Sequence, residues 1–326
     1  MASQLNGHAR RAQVAHVERD VILQTHRLTK RYGDLTAVDR LTIQLRRGEV
    51  YGLLGPNGSG KSTTVAMLLG LIKPTSGEIE AFGMSPRTHR WDILRQIGAI
   101  IESPAFYPYL SGRDNLKMMA RSAADGSERR VDEVLERVDL TTRADDRYEH
   151  YSLGMKQRLG IASTLLRDPR LIILDEPTNG LDPAGTLEIR ALIPRLAEEG
   201  RTVMVCSHLL HEVQLVCDRV TILQRGKQLV ETSVDALLNQ DRGLRLRTGN
   251  GTRPDELAPL LHQLPWVRSV APEEDSFVRV LAPADRGADI TRFLADQGIY
   301  VAELTPIQPT LESIFLELTG GQSGDV

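Results

Sequence analysis

The sequence predicts an α/β fold carrying a helical insertion, followed by a small α+β domain. Three observations predict it. Gly55-Pro56-Asn57-Gly58-Ser59-Gly60-Lys61-Ser62 fits G-x-x-x-x-G-K-[ST], with an apolar strand (Glu49 to Leu54) before it and a Pro-free helix (Thr63 to Ile72) after it. Leu171 to Leu174 is a continuous apolar run, as in strands buried on both faces of a parallel sheet. Strands then alternate with helices over the segment 21–229, roughly two thirds of the chain, which is the pattern of an α/β fold.

Composition narrows the class. The chain has 326 residues, enough for roughly two domains. Hydrophobic residues make up 41% and charged residues 25%, ordinary values for a soluble protein. A net charge of −3 gives no sign of general affinity for nucleic acid. Two cysteines, Cys206 and Cys217, are too few for a disulfide framework and read as small buried hydrophobes in a reducing compartment. No apolar run approaches the roughly 18 residues of a membrane span, and Met1 to Asp20 lacks the apolar core of a secretory signal. The expectation is a cytosolic chain whose contact with a membrane goes through a partner.

Residues 1–20 have no hydrophobic period and read as a disordered extension. Val21-Ile22-Leu23 opens the first strand, Lys30 to Asp34 makes a turn, and Val38 to Leu45 alternates as a half-buried strand. After the P-loop helix, Lys73-Pro74-Thr75-Ser76-Gly77 is a strong turn, and Glu78 to Phe82 returns as a strand. Trp91 to Ile101 carries a helix and then a strand. From about 103 to 167 the chain turns helical, with faces at Leu116-Met119-Ala120 and Val131-Val134-Leu135-Val138, and a third helix from Ser152 to about Arg167. Beyond the apolar run come a helix (Ala184 to Gly200), a strand (Thr202 to Cys206), a helix (Leu209 to Val216) and a strand (Val220 to Leu223). The first domain is read as 21–234 and the second as 235–326. The second has a βαβ-βαβ order, the split ferredoxin-like pattern, closed by a helix at Leu311 to Leu318.

The chemistry starts at the P-loop. Its glycines let backbone N–H groups turn inward as a nest for phosphate, and the following helix start adds more donors. Gly55, Pro56, Asn57, Gly58, Ser59, Gly60, Lys61, Ser62 and Thr63 are the candidate nucleotide-binding residues. Lys61 can reach the β- and γ-phosphates, and the Ser62 hydroxyl can ligate Mg²⁺. Asp175-Glu176 ends the buried strand, where ligands sit in this fold class. One carboxylate for the metal (Asp175) and one to polarise water (Glu176) fits phosphoanhydride hydrolysis. His208 lies just past another strand end, positioned to touch the γ-phosphate. ATP and Mg²⁺ are the expected cofactors.

Tyr151-Ser152-Leu153-Gly154-Met155-Lys156-Gln157-Arg158 resembles the signature of ATP-binding cassette (ABC) ATPases, usually L-S-G-G-Q followed by x-Q-R. Ser152, Gly154, Gln157 and Arg158 match; Leu153 and Met155 replace a glycine and a glutamine. Ser152 stands as the N-cap of a helix whose start can bind a phosphate. The resemblance implies a head-to-tail dimer in which each ATP lies between one copy's P-loop and the partner's Ser152, Leu153, Gly154 and Met155. It further implies that Tyr32 stacks on adenine, that Asp182 of Asn179-Gly180-Leu181-Asp182 crosses the dimer interface, and that Glu102 stands where the family has glutamine, as a metal or water contact.

Within the family the chain is similar to the ATP-binding subunits of bacterial antibiotic exporters of the bacitracin type, through the run from Tyr151 to Ala162 and the ending from Gln308 to Thr319. That resemblance implies a separate membrane permease, export of a drug, antibiotic or lipid-like substrate, and a peripheral position on the inner face of the membrane. Ser103 to Gly112 gathers Phe106, Tyr107 and Tyr109 in a chain only 4% aromatic, a candidate loop for receiving the permease. Two other readings stay open: an ABC ATPase without a permease, working in translation or DNA repair, and an ATP-dependent switch with a ligand-binding tail domain.

Overall fold

The computed structural model describes residues 20–101, 105–123, 126–240, 243–249, 253–307 and 309–319. The expected N-terminal extension, apart from Asp20, and Glu102 lie outside these residues. The chain divides into two compact units between Glu231 and Thr232.

The first unit holds β1 (Val21–Tyr32), β2 (Leu35–Leu41), β3 (Gln44–Arg46), β4 (Val50–Leu54), α1 (Lys61–Leu68), β5 (Ser76–Ala81), α2 (Arg90–Leu94) and β6 (Ile97–Ile100). The insertion follows with α3 (Gly112–Ala123), α4 (Val131–Arg137) and α5 (Leu153–Leu165). Then come β7 (Leu171–Asp175), α6 (Pro183–Glu198), β8 (Thr202–Ser207), α7 (Leu210–Val216), β9 (Arg219–Gln224) and β10 (Lys227–Ser233), whose last two residues fall past the division. The strands join one ten-stranded sheet in the order β3-β1-β2-β10-β9-β4-β8-β7-β6, with β5 on the other side of β1.

The central strands β9, β4, β8, β7 and β6 run parallel. β4, β7 and β8 are buried along their whole length, as their unbroken apolar sequences require. Their register positions the chemistry. Leu54 pairs with Ser207 and Asp175 with Cys206, so the residues that follow all three strands emerge at one edge. The strand feeding the P-loop is pinned from behind. Tyr51 is fully buried, its hydroxyl 2.7 Å from Thr221 Oγ1 and donating to Glu231 Oε1 at 3.0 Å. Burial holds that phenol well above its ordinary pKa, so it stays a donor.

Several expected elements differ in detail. Val38 to Leu45 is two strands, broken at Thr42-Ile43 where Thr25 Oγ1 accepts from Ile43 N (3.1 Å) and donates to Leu41 O (3.0 Å). The turn after β1 is Gly33-Asp34 alone, and Tyr32 belongs to the strand. The helix at Trp91 spans only Arg90–Leu94, because Gln96 already pairs backbone with Leu171 at the start of the next strand pair. In α3 the inward face is Leu116 and Ala120, while Met119 is 38% exposed. β10 has no counterpart in the sequence reading.

The second unit contains α8 (Val234–Gln240), β11 (Gly243–Thr248), α9 (Pro254–Leu261), β12 (Ser269–Pro272), β13 (Val278–Leu281), α10 (Gly287–Asp296), β14 (Val301–Ile307) and α11 (Leu311–Leu318). Its sheet order is β12-β13-β11-β14, so β13 splits the βαβ unit formed by β11, α9 and β12. Leu244, Leu246, Val278 and Val280 pack against Leu257, Leu261, Ile290 and Leu294 of the two helices.

Candidate functional site

The P-loop is shaped by backbone conformations that favour glycine. Gly58 and Gly60 have φ of 76° and 104°, and a Cβ on Gly60 would lie 2.5 Å from Ala37 O. Gly60 is the N-cap of α1, so the helix start opens on the loop. Lys61 is 6% exposed, and its Nζ curls over the loop to donate to Gly55 O (2.7 Å) and Pro56 O (3.4 Å). Ser59 Oγ is buried with no hydrogen-bond partner among the described residues, a polar atom the loop itself leaves over.

Two carboxylates close the site from β7. Asp175, 4% exposed, accepts from Ser62 Oγ at 3.2 Å. Glu176 follows with φ of 50°, a left-handed conformation costly for a non-glycine residue. Glu176 N donates to Cys206 O (2.9 Å), which anchors that turn to β8. The strained backbone turns the side chain inward between the neighbouring strand ends. Glu176 Oε2 accepts from His208 Nδ1 (2.9 Å), Ser207 Oγ (3.3 Å) and His208 N (3.4 Å), while Oε1 lies 3.5 Å from Lys61 Nζ. A carboxylate only accepts, so His208 Nδ1 is the donor to Glu176 and Nε2 lies on the far side of the ring. Just behind, burial pushes the Cys206 thiol well above its ordinary pKa, and the Asp175 charge adds to this. Cys206 is a packing residue, as its sequence suggested.

Of these groups Ser59, Gly60, Lys61, Ser62, Asp175 and Glu176 line a cavity of about 940 Å³, and His208 stands behind Glu176 outside the lining of that cavity. Tyr32, 49% exposed, stands on its wall with Lys30 Nζ 4.8 Å from the ring centroid. Arg225 also lines it; the sequence reading missed this residue, although Gln224-Arg225-Gly226 is a visible turn between strands. The insertion also contributes to the lining, through Tyr148, Leu153, Lys156 and Gln157.

The signature segment is built as a helix start. Ser152 Oγ accepts from Met155 N (3.2 Å) and caps α5. Leu153 is 52% exposed, whereas Gly154 is buried where a Cβ would come within 3.4 Å of Gly185 Cα in α6. Arg158 ties the helix down through Val138 O (3.2 Å) and Asp139 O (3.0 Å). Asp182 Oδ1 accepts from Gly185 N (3.0 Å) and caps α6 within its own chain.

The donor set suits Mg²⁺. Ser62 and Asp175 supply hard oxygens side by side, and no group of three or more His, Cys, Asp or Glu able to hold a metal occurs among the described residues. Mg²⁺ is held this way, by one or two protein oxygens together with phosphates and waters, rather than by an all-protein cage.

The family model described as ABC transporter matches residues 38–179. The bacitracin transport ATP-binding protein of Bacillus licheniformis is 41% identical, over 92% of this chain and 98% of that one. The chain belongs to the ATP-binding proteins of ABC transporters. The linearmycin resistance ATP-binding protein of Bacillus subtilis (strain 168) is 35% identical over 92% of this ABC protein and 98% of its own length. An ATP-binding cassette solved as a dimer in a post-hydrolysis state with ADP and Pi is similar at 26% identity and a TM-score of 0.58, over 65% of this chain and 99% of that one. This ABC protein is therefore an ATPase that binds ATP. No helix among the described residues is long and apolar enough to cross a membrane.

Proposed function

We propose that the chain hydrolyses ATP as one half of a head-to-tail homodimer and thereby drives export through a separate membrane permease. The observation that carries this reading is Glu176, placed between Lys61 and His208 with Asp175 and Ser62 beside it. Glu176 accepts the proton of the attacking water as its oxygen bonds to the γ-phosphorus and the bond to the β-bridging oxygen breaks. Lys61 and His208 hold γ-phosphate oxygens, the P-loop amides hold the β-phosphate, and Tyr32 takes the adenine. Ser62 and Asp175 hold Mg²⁺, which neutralises charge on the phosphates; Glu102 is proposed to join that shell. Ser152, Leu153, Gly154 and Met155 meet the ATP of the partner copy, and Asp182 reaches the same interface.

The relatives named for bacitracin transport and linearmycin resistance support a drug, antibiotic or lipid-like cargo. The chain then works in the cytoplasm, peripheral on the inner face of the cell membrane. The docking surface is the loop before α3. Phe106 turns in, edge-on to Tyr148 at 5.2 Å between centroids, while Tyr107 and Tyr109 are 47% and 63% exposed. Exposed tyrosines on a braced loop are common interface anchors.

The test is Glu176→Gln, tagged and produced in the native host. ATP binding is expected to persist while turnover falls on the order of 10²- to 10⁴-fold, the range of a lost general base. A stoichiometric integral membrane protein is expected to co-purify from solubilised membranes. Soluble partners only, ribosomes or DNA would replace the export reading with one of the other two and leave the ATPase standing.

A further inference from the structure

Asn115 is fully buried in the first turn of α3, an unfavourable place for an amide unless every polar atom finds a partner. It finds them in the loop before it. Oδ1 accepts from Tyr107 N (2.8 Å), and Nδ2 donates to Ser111 O (2.9 Å), Tyr107 O (3.1 Å) and Leu110 O (3.4 Å). The helix does not need these bonds. Its start is capped by Ser111 Oγ, which accepts from Asp114 N at 3.0 Å and donates to Asp114 Oδ2 at 2.7 Å. Asn is also a poor helix former compared with Ala. Its presence here serves the loop.

The loop is stitched to the segment that leads into the signature helix. Tyr148 N donates to Leu110 O and Glu149 N to Pro108 O, each at 2.9 Å. Phe106 packs on Tyr148, whose ring centroid lies 5.9 Å from that of Tyr151. Tyr151 directly precedes the cap Ser152, and Tyr148 itself lines the cavity. A displacement of the loop therefore has a packed, hydrogen-bonded route to α5.

We propose that Asn115 is the positioning residue of the docking loop. It sets the backbone shape that presents Tyr107 and Tyr109, and so makes permease contact felt at the signature helix. The proposal rests on the reading that this loop meets the permease.

The test compares the tagged full-length chain as wild type, Asn115→Ala and Tyr107→Ala/Tyr109→Ala, each purified from solubilised membranes of the native host. Measured are the membrane protein retained, the ATPase rate with and without it, ATP affinity, and amide exchange over 105–111. Asn115→Ala is expected to exchange faster over that loop. Both variants are expected to lose about tenfold or more of the retained membrane protein or of its stimulation of ATPase, as for a lost interface anchor. ATP affinity and the unstimulated rate stay within about twofold of wild type, as expected for a site outside the catalytic groups. Wild-type retention and stimulation in Asn115→Ala, with loss in the tyrosine variant, overturns the role of Asn115 and leaves the docking loop standing. Parallel loss of ATP affinity, basal rate and retention in Asn115→Ala overturns it in favour of a general structural role. A wild-type chain that retains no membrane protein overturns the docking reading and this proposal with it.

Discussion

Glu176 shows what a residue can reveal in sequence and what it cannot. An acidic pair after an apolar run announces both carboxylates, and register then brings them to the edge where the P-loop and His208 also emerge. The left-handed backbone at Glu176 (φ 50°) leaves no trace in the residue type, since Glu has no preference for it. Nor does Arg225 announce that it lines the cavity, because that depends on where distant segments lie; the Asp182 cap is by contrast local, its Oδ1 taking Gly185 N three residues on with Pro183 at the first helical position. Gly60 is legible, because its motif position demands what the structure requires. Gly60→Ala puts a Cβ 2.5 Å from Ala37 O at a φ of 104°. It is expected to destabilise the fold by about 1–3 kcal/mol, the cost of such strain, and to weaken ATP binding. Urea unfolding and a binding titration check both.

At the scale of elements, charge ties the insertion to the sheet. Arg130 beside α4 contacts Asp168 (3.3 Å), which also pairs with Arg201 (2.7 Å) before β8; Arg201 reaches Glu199, which pairs with Arg137 of α4. Glu133 links Arg130 and Arg137 and closes the ring. Burial raises the Asp168 pKa, but Arg201 and Arg130 outweigh it and hold the carboxyl below its ordinary value. A lowered folded-state pKa means stability that is present above the ordinary carboxylate range and lost as pH falls through the lowered value. Asp168→Asn is therefore expected to be less stable than wild type at neutral pH, with the gap closing in acid. Denaturation midpoints measured from pH 7 downward check this; a pH-independent gap would contradict it. Asp168 is 62% exposed, so the effect is small and shrinks in salt.

The elements were legible where period or unbroken apolarity was strong, as in β4, β7, β8 and α5. They were not where the partner decides. β10 alternates only weakly in burial, and its strand identity comes from neighbours in the sheet. Met119 sits three residues after Leu116, a helical neighbour position, but at the rim of the buried face.

At the scale of the whole molecule, one chain supplies two unlike halves of an ATP site. In the proposed function the P-loop, Asp175, Glu176 and His208 bind and react, while Ser152 caps a helix start suited to a second phosphate. The family's dimeric post-hydrolysis cassette with ADP and Pi supports their assembly from two copies. A hydrolysis-deficient chain should then accumulate in the closed, ATP-holding state, since ATP favours that state and is not consumed. The most direct measurement is the molar mass in solution of Glu176→Gln with Mg²⁺ and ATP, by sedimentation. The account predicts a monomer without nucleotide or with ADP, a dimer with ATP, and loss of that dimer when Ser152 and Gly154 are replaced by bulky residues. A chain that binds ATP yet stays monomeric at every ATP and protein concentration would contradict it.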